Sequence, residues 1–376
     1  MPSIYVSGGR NMKQIIKKGL DEVLNFLQEV EKLTKREKIV TTNLKIFFAE
    51  DEEQLLQLKD SLGLATPRLS IKDYDTLGGS KLFIYFKGEL IGLNECSINS
   101  ISGRLNCSSS PLTNLYMENR EDWCKIINLF LVNKSAIDKT LVTTVDGEVV
   151  AFASGNENQK AYSVFPLVDV VNDATNAIVS ATNDEPEATD LEWSLEYSIV
   201  RWYLPCELSY KGKQERIQIE MKSSDAAQGA IVFNAYMESG NLRLPLCSNV
   251  RIEHRKKYKK ADIDEAISEV VSTIKEEQEV IASMKDIKLQ YPKQCLLHVM
   301  KAVGLQQRRT MAVVHHYQPK EATAYEVYVE ACKSLGLVSD KSFATRMCEV
   351  GNLLKITGIT QWDKYDYDST FEWSWK

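Results

Sequence analysis

Residues 251–260, with the sequence RIEHRKKYKK, form the densest group of cations in the chain. Six of these ten residues are Lys or Arg and one is Glu, whereas the 376-residue chain has a formal net charge of −6. A cationic patch on an acidic protein favours binding to phosphate groups. We therefore predict a nucleic-acid-binding site that consists of Arg251, Arg255, Lys256, Lys257, Tyr258, Lys259, Lys260, Arg308 and Arg309.

The residue types of this patch suit a single-stranded ligand. Lysine and arginine would contact the phosphate backbone, and the ring of Tyr258 would stack on a base. Arg308 and Arg309 belong to a later segment, which also contains His315 and His316, and they would extend the same basic surface. The alternative is that the cations pair with the acidic helix that follows, which carries eight Asp/Glu against three Lys over residues 262–290.

The other residues that could take part in catalysis or metal binding form no recognisable catalytic or metal-binding signature. Residues 7–10, Ser-Gly-Gly-Arg, follow a short apolar run, but they contain neither a P-loop lysine pattern nor a three-glycine dinucleotide fingerprint. Cys295 and His298 have ligand-like spacing, yet a buried thiol beside an ordinary histidine is the favoured interpretation. We therefore predict a protein that is not an enzyme and has no catalytic residue, metal or cofactor. We expect the following carboxylates to be solvated rather than to bind a divalent ion: Asp169, Asp173, Asp184 and Glu185.

The cysteines and the apolar runs bear on the compartment. The eight cysteines are dispersed without a Cys-x-x-Cys pair, which favours reduced and mostly buried thiols. No apolar run approaches the roughly 18 residues that a membrane span requires, and the N-terminal residues lack the apolar core of a signal peptide. We expect no membrane association and a cytoplasmic protein, in the host cytoplasm if the gene belongs to a phage.

The first third of the chain predicts a small α/β unit over residues 1–115. Apolar residues at helical spacing indicate an amphipathic helix over 11–34, which includes Met12 and Ile16. A strand over 44–49, a helix over 51–62 and a hairpin over 82–93 follow in order. The Ser-, Asn- and Gly-rich residues 97–113 are predicted to be a linker.

Residues 116–290 predict an α+β core with an antiparallel sheet and a long helix. Asp146-Gly147 lies between two β-rich runs and indicates a hairpin. The surrounding elements are two helices, a loop and four strands, predicted over 121–132, 166–180, 183–190, 196–204, 216–221, 231–236 and 242–252. The long helix would begin with a capping box at Asp262 and Glu265. It would cover the sheet with an apolar stripe made of Ile263, Ile267, Val270, Ile274, Ile281 and Met284.

Residues 291–376 predict a helical C-terminal region. Shorter helices are expected to about residue 303, over 322–335 and over 342–354. An aromatic tail follows, and we expect it to dock within the same chain rather than on a partner. It consists of Trp362, Tyr365, Tyr367, Phe371, Trp373 and Trp375. The fold class predicted for the whole chain is therefore α+β.

Several segments together resemble a phage- and plasmid-encoded family that is catalogued as a domain of unknown function. They are AYSVFPLVDVVNDA after the hairpin, LCSNVRIEHRKK at 246–257, TAYEVYVEAC at 323–332 and QWDKYD at 361–366, and their order and spacing carry the resemblance over residues 121–366. The resemblance implies a mobile-element origin and a role in handling DNA or in countering the host. At its strand-to-helix junction we expect Cys247 in the core, Asn249 in a turn or at a strand end, and His254 and Arg255 at the surface.

The leading functional hypothesis is a phage or mobile-element nucleic-acid-binding protein. Its most specific form is an oligomeric single-stranded DNA binding or annealing factor of the recombination type, which shares the sheet-plus-helix outline. Self-assembly would align the basic patches of an otherwise acidic chain, so we expect a homo-oligomer. The alternative is a non-enzymatic phage structural or assembly protein, or one that interacts with a host-defence complex, which requires only complementary surfaces.

Overall fold

The computed structural model describes residues 14–64, 68–156, 162–210, 212–223, 230–239, 242–254, 258–338 and 353–368. The fold is α+β, as predicted, with antiparallel sheets and packed helices. Residues 7–10, the cations Arg255, Lys256 and Lys257, and most of the helix predicted over 342–354 lie outside the described residues. No helix in the described residues has both the length and the apolar character that a membrane crossing demands.

The strands and helices occupy the following ranges in the described residues. The strands are β1 (Ile15–Lys18), β2 (Thr34–Val40), β3 (Lys45–Phe48), β4 (Leu82–Phe86), β5 (Glu89–Gly92), β6 (Lys139–Val145), β7 (Glu148–Ser154), β8 (Ala188–Trp193), β9 (Ser198–Tyr210), β10 (Lys213–Ser223), β11 (Ile231–Ser239), β12 (Leu242–Ile252), β13 (Lys288–Leu289) and β14 (Ala322–Thr323). The helices are α1 (Leu20–Leu33), α2 (Glu52–Ser61), α3 (Ile71–Gly78), α4 (Ser97–Arg104), α5 (Ser110–Glu118), α6 (Arg120–Val132), α7 (Leu167–Thr182), α8 (Lys260–Asp286), α9 (Pro292–Ala302), α10 (Gln307–His316) and α11 (Ala324–Val338), and residues 353–359 are also helical.

The larger sheet has six antiparallel strands in the order β1-β8-β9-β10-β11-β12. Alternation along β10 turns Ile217, Ile219 and Met221 toward the helices, where they are buried. α8 packs on β11 and β12, α7 lies beside α8, and α1 packs against α7 and β8. Every residue of the predicted α8 stripe is buried in this layer, so the predicted packing of the long helix on the sheet is confirmed.

Two predicted helix starts are wrong. α1 begins at Leu20 rather than near residue 11, because Gly19 adopts a left-handed φ of 88° and Ile15–Lys18 pair with β8 as a strand. α8 begins at Lys260, so Asp262 lies within the first turn and forms no capping box. In the first segment, strand pairing and the turn at Gly19 override the local pattern.

The smaller unit, formed by β2–β7 and α2–α6, contains two three-stranded sheets, in the orders β2-β6-β7 and β3-β4-β5. A parallel bridge between Leu93 and Val149 joins them. α4 packs on β7 and α6 packs on β3, and their apolar residues form one cluster around Trp123 and Phe152. The boundary predicted at residue 115 lies inside α5, which shares this cluster with α6.

The linker predicted over residues 97–113 is wrong, since α4 fills the first part of this segment and α5 begins at Ser110. Ile98, Ile101 and Leu105 recur at helical spacing and are buried. The serine hydroxyls do not interrupt the helix, because Ser100 and Ser102 donate hydrogen bonds to carbonyl oxygens three or four residues earlier. A serine-rich segment therefore packs as a helix.

The two predicted hairpins are confirmed by their turns. Lys87 and Gly88 adopt φ values of 52° and 81°, and Asp146 and Gly147 adopt 48° and 82°. Left-handed φ at both central residues is the geometry of a type I′ turn, which joins antiparallel strands tightly.

The described part of the aromatic tail docks within the chain, as predicted. Trp362 is buried in the larger core, and the ring of Tyr365 stacks on His298 with 3.4 Å between centroids. The Asp366 carboxylate accepts hydrogen bonds from the backbone N–H groups of Gln290 and Tyr291 at 3.0 and 2.5 Å. The tail therefore binds the residues directly before α9 by hydrogen bonds.

Candidate nucleic-acid interface

The predicted basic patch lies where β12 ends and α8 begins. Arg251 is the penultimate residue of β12 and 55% of its side chain is exposed. Its Nε lies 4.0 Å from the carboxylate of Glu253. Lys259 and Lys260 are exposed at the start of α8. The structure thus places three predicted cations at one strand-to-helix junction.

The N-terminus of α8 begins with a residue that cannot cap it. Lys259 is the N-cap residue and makes no side-chain hydrogen bond to the helix, because a lysine side chain has no acceptor atom. The first N–H groups of a helix and its macrodipole favour a negative charge. Two lysines therefore belong to the same helix terminus as backbone donors that favour an anion.

Tyr258 connects the junction to α7. Its hydroxyl donates a hydrogen bond to Asp173, and its ring centroid lies 5.3 Å from that of Phe165. Lys260 Nζ lies 3.9 Å from the other oxygen of Asp173. Burial and the neighbouring Asp173 carboxylate raise the pKa of Tyr258. Tyr258 therefore has an anchoring contact in addition to any role at a ligand.

His254 is buried, so its predicted place at the surface is wrong. Its ring stacks on Tyr162 with 4.9 Å between centroids and packs on Phe165 at 4.5 Å. Nδ1 lies 3.0 Å from the carbonyl oxygen of Ser163, so the neutral ring carries its proton at Nδ1. The N–H group of Ser163 donates in return to the His254 carbonyl at 2.8 Å. These contacts fix the end of β12 to the segment before α7.

The imidazole of His254 is suited to the neutral form. Nε2 is buried and makes no hydrogen bond with any described residue. Burial lowers the pKa of His254, although the Ser163 carbonyl opposes this effect. Protonation would leave a second N–H group buried without an acceptor, which is unfavourable.

The carboxylates predicted to be solvated fall into two groups. Asp184 and Glu185 are exposed after the end of α7. Asp173 is largely covered, with 17% of its side chain exposed, and pairs with the junction. Burial and the Asp173 carboxylate raise the pKa of Asp169, one turn earlier on α7. Among the described residues, no group of three or more His, Cys, Asp or Glu is placed to hold a metal ion.

The alternative interpretation of the basic patch pairs its cations with the acidic side chains of α8. The described ion pairs at the junction are different. Within the described residues, the acidic partner of Lys260 is Asp173 of α7 and that of Arg251 is Glu253, while Lys259 forms no ion pair. The acidic side chains of α8 itself are not the described partners of these cations.

The remaining predicted residues lie elsewhere in the fold. Arg308 is exposed on α10, and the backbone of Arg309 belongs to the same helix, which packs mainly on α9. The structure therefore shows no contact that brings these arginines to the junction among the described residues. His315 and His316 are exposed at the end of α10.

Cys295 and His298 do not share a ligand position. Cys295 is buried in the core, whereas the ring of His298 stacks on Tyr365. The seven described cysteines are free thiols. Burial raises the pKa of Cys124, Cys295 and Cys332 to about 12, which makes these thiols poor nucleophiles.

A charged network on the outer face of the larger sheet is absent from the sequence predictions. Glu220 on β10 is buried, and its Oε2 accepts from Arg201 Nε and Arg243 Nη2, each at 3.1 Å. Arg201 also donates to Glu192 on β8 at 3.1 Å. The signal was the alternation of Gln218 and Glu220 with apolar residues along β10, which places both on the face opposite the helices.

The cations of this network keep Glu220 ionised. Burial opposes ionisation, but the charges of Lys222, Arg243 and Arg201 outweigh it and lower the pKa of Glu220. Arg243 also covers the ring of Tyr236, 4.2 Å from its centroid. The outer face is therefore an ordered polar surface, and Arg251 lies on the same face opposite Val232.

Comparisons with protein-family models, with curated proteins and with solved structures found no match. The junction between β12 and α8 offers exposed cations, backbone donors at a helix end and an adjoining polar sheet face. Together these features suit an extended anionic ligand better than a small neutral one.

Proposed function

We propose that the protein binds single-stranded nucleic acid, most specifically single-stranded DNA, at the junction between β12 and α8. The supporting observation is that Lys259 and Lys260 occupy the N-cap and first positions of a 27-residue helix whose N-cap side chain makes no capping hydrogen bond. A phosphate at this position would accept from backbone N–H groups and interact with both ammonium groups.

Arg251 would direct the bound nucleic acid from the junction onto the outer face of the sheet. It lies opposite Val232 on β11, and Val232 lies opposite Lys222 on β10. The three side chains form a row across neighbouring strands, with cations at both ends. A flexible single strand can follow such a row, whereas a stiff duplex has less freedom to bend toward it.

We propose that the chain is a phage or mobile-element protein that binds or anneals DNA during recombination, without enzymatic activity and in the cytoplasm. Since the whole chain is acidic, a homo-oligomer that aligns several junctions would strengthen binding. The α8 stripe is buried against its own sheet, so another surface would form the subunit contact.

A structural or host-defence-interacting role is the second candidate function. One observation favours it: Leu129, Phe130 and Val132 at the end of α6, with Ile137 shortly after, are exposed. Exposed apolar side chains in one segment are typical of protein contacts. This surface belongs to the smaller unit and is separate from the junction.

The decisive experiment measures fluorescence anisotropy of a labelled single-stranded oligonucleotide at several salt concentrations. The test variant carries Arg251→Gln, Lys259→Gln and Lys260→Gln, and the control carries Lys45→Gln, Lys87→Gln and Lys125→Gln in the smaller unit. Both variants lose three positive charges from exposed positions. We expect only the junction variant to bind more weakly, with a salt slope reduced by about 0.7 for each lost contact.

Equal losses in the two variants would show that net charge alone governs binding. If the parent protein binds no oligonucleotide at low salt, the nucleic-acid proposal is wrong and the protein-interaction candidate takes its place. Size-exclusion chromatography with light scattering, run with and without the oligonucleotide, would test the proposed oligomer.

A further inference from the structure

A cavity of about 490 Å³ opens between α7, α8 and the β9–β10 pair. Its walls come from the C-terminal end of α7, the middle of α8 and the adjoining strands, so it is separate from the junction at the start of α8. Ligand pockets commonly measure about 300 to 1,000 Å³. The cavity is therefore large enough for a small organic molecule.

The floor of the cavity is apolar. Leu204 on β9, Ile217 on β10 and Ile274 on α8 line it, and all three belong to the larger core. Val271 and Ala282 of α8 extend this surface. An apolar group that displaced water from this floor would gain hydrophobic stabilisation in proportion to the area it covers.

The mouth of the cavity carries an excess of negative charge. Asp184 and Glu279 line it and are exposed, and neither forms an ion pair with a described residue. The remaining charged lining residue is Lys275, whose Nζ lies 3.5 Å from the carbonyl oxygen of Ala181. That ammonium group already serves the C-terminal end of α7, where helix carbonyls carry partial negative charge.

Two carboxylates beside a helix C-terminus favour a cation, and the floor beneath them favours a hydrocarbon group. We propose that this cavity binds an organic cation, with an alkyl or aryl body on Leu204, Ile217 and Ile274 and an ammonium group at Asp184 and Glu279. The amide of Gln278, which also lines the cavity, offers a polar contact between these two regions. This site is independent of the proposed nucleic-acid binding.

The test compares two probes that share an eight-carbon chain and differ in the charge of the head group. Octyltrimethylammonium and octyl sulfate are titrated separately into the full-length protein below their micelle concentrations, and binding is measured by isothermal titration calorimetry. We expect the ammonium probe to bind at one site and the sulfate probe to bind more weakly. The reverse preference, or equal affinities, would overturn the proposal.

Variants then locate the site. Ala282→Phe would fill the cavity from α8 and abolish binding of the ammonium probe, whereas Ala302→Phe, at an exposed position at the end of α9, is the matched control. Asp184→Asn with Glu279→Gln changes only exposed side chains and should weaken the ammonium probe about fivefold while sparing an uncharged octyl glycoside. Unchanged binding of the ammonium probe in both the filled and the neutralised proteins would place it elsewhere and refute the assignment.

Discussion

The hydroxyl of Tyr258 donates a hydrogen bond to the carboxylate of Asp173, and this contact joins the start of α8 to α7. Asp173 also lies 3.9 Å from Lys260, so one carboxylate holds two residues of the predicted binding site. The junction is consequently ordered by an acidic residue that faces its cations. Any phosphate bound here would share Lys260 with Asp173.

The replacement Tyr258→Phe removes this hydrogen bond while retaining the ring. Hydrogen bonds to a charged group contribute about 1.5–3 kcal/mol, and partial exposure places this one near the lower value. We expect a loss of about 1.5 kcal/mol in the free energy of unfolding, measured by urea denaturation. Tyr74→Phe on α3, where the tyrosine is exposed, is the control and should change stability little. Equal effects of the two replacements would contradict the role given to the Asp173 contact.

The stability of the fold should fall on mild acidification because of His254. Burial lowers its pKa in the folded state, so the unfolded state binds more protons once the pH drops below the ordinary value of about 6.5. The stabilisation due to the neutral ring is therefore present above that pH and is lost as the pH falls toward the folded-state value.

Urea denaturation of the parent and of His254→Phe between about pH 7.5 and 5 tests this assignment. The variant keeps an aromatic ring on Tyr162 and Phe165 but cannot be protonated. We expect it to be less stable at neutral pH, since it loses the bond to Ser163, and to show a weaker dependence on pH. His298 also has a pKa lowered by burial and remains in both proteins, so its contribution cancels in the comparison. Parallel pH profiles would rule out His254 as a source of acid sensitivity.

Several local elements could be predicted because their signals lie close together in the sequence. The α8 stripe repeats at helical spacing over more than twenty residues. Asp146 and Gly147 are residue types that readily adopt the left-handed φ values of their turn. The basic junction was equally visible, because charge density is a local property. These features depend little on which distant segment packs against them.

The contacts that organise the site could not be predicted, because they join distant segments. The charged run predicts His254 at the surface, yet its hydrogen-bonding partner Ser163 lies 91 residues earlier. Glu220 is buried only because strand pairing brings Arg201 and Arg243 from β9 and β12 to the same face. A single sequence gives the alternation of polar residues but not the register that assembles such a network.

The α8 stripe provides a direct test of the core. Ile267→Asp or Ile274→Asp would place an unpaired carboxylate among buried side chains, and each should destabilise the protein by about 4 kcal/mol or more. Ser272→Asp, at an exposed position of the same helix, introduces the same charge and is the control. Thermal unfolding followed by circular dichroism measures all three proteins. If either isoleucine variant unfolds at the temperature of the parent, the packing of α8 on the sheet is refuted.

The cations outside the described residues provide the last prediction. Lys256 and Lys257 lie between Arg251 and Lys259 in the sequence and belong to the predicted basic patch. If all three lysines contact phosphates, changing Lys256, Lys257 and Lys259 to Gln should lower the salt slope of single-stranded DNA binding by about 2 in total and weaken affinity at low salt. Circular dichroism and the urea midpoint should remain those of the parent, because glutamine retains the length and polarity of the side chain while it removes the charge. Parental affinity and slope in this variant would mean that the cations serve as ion-pair partners within the fold, and the protein-interaction candidate would then be favoured.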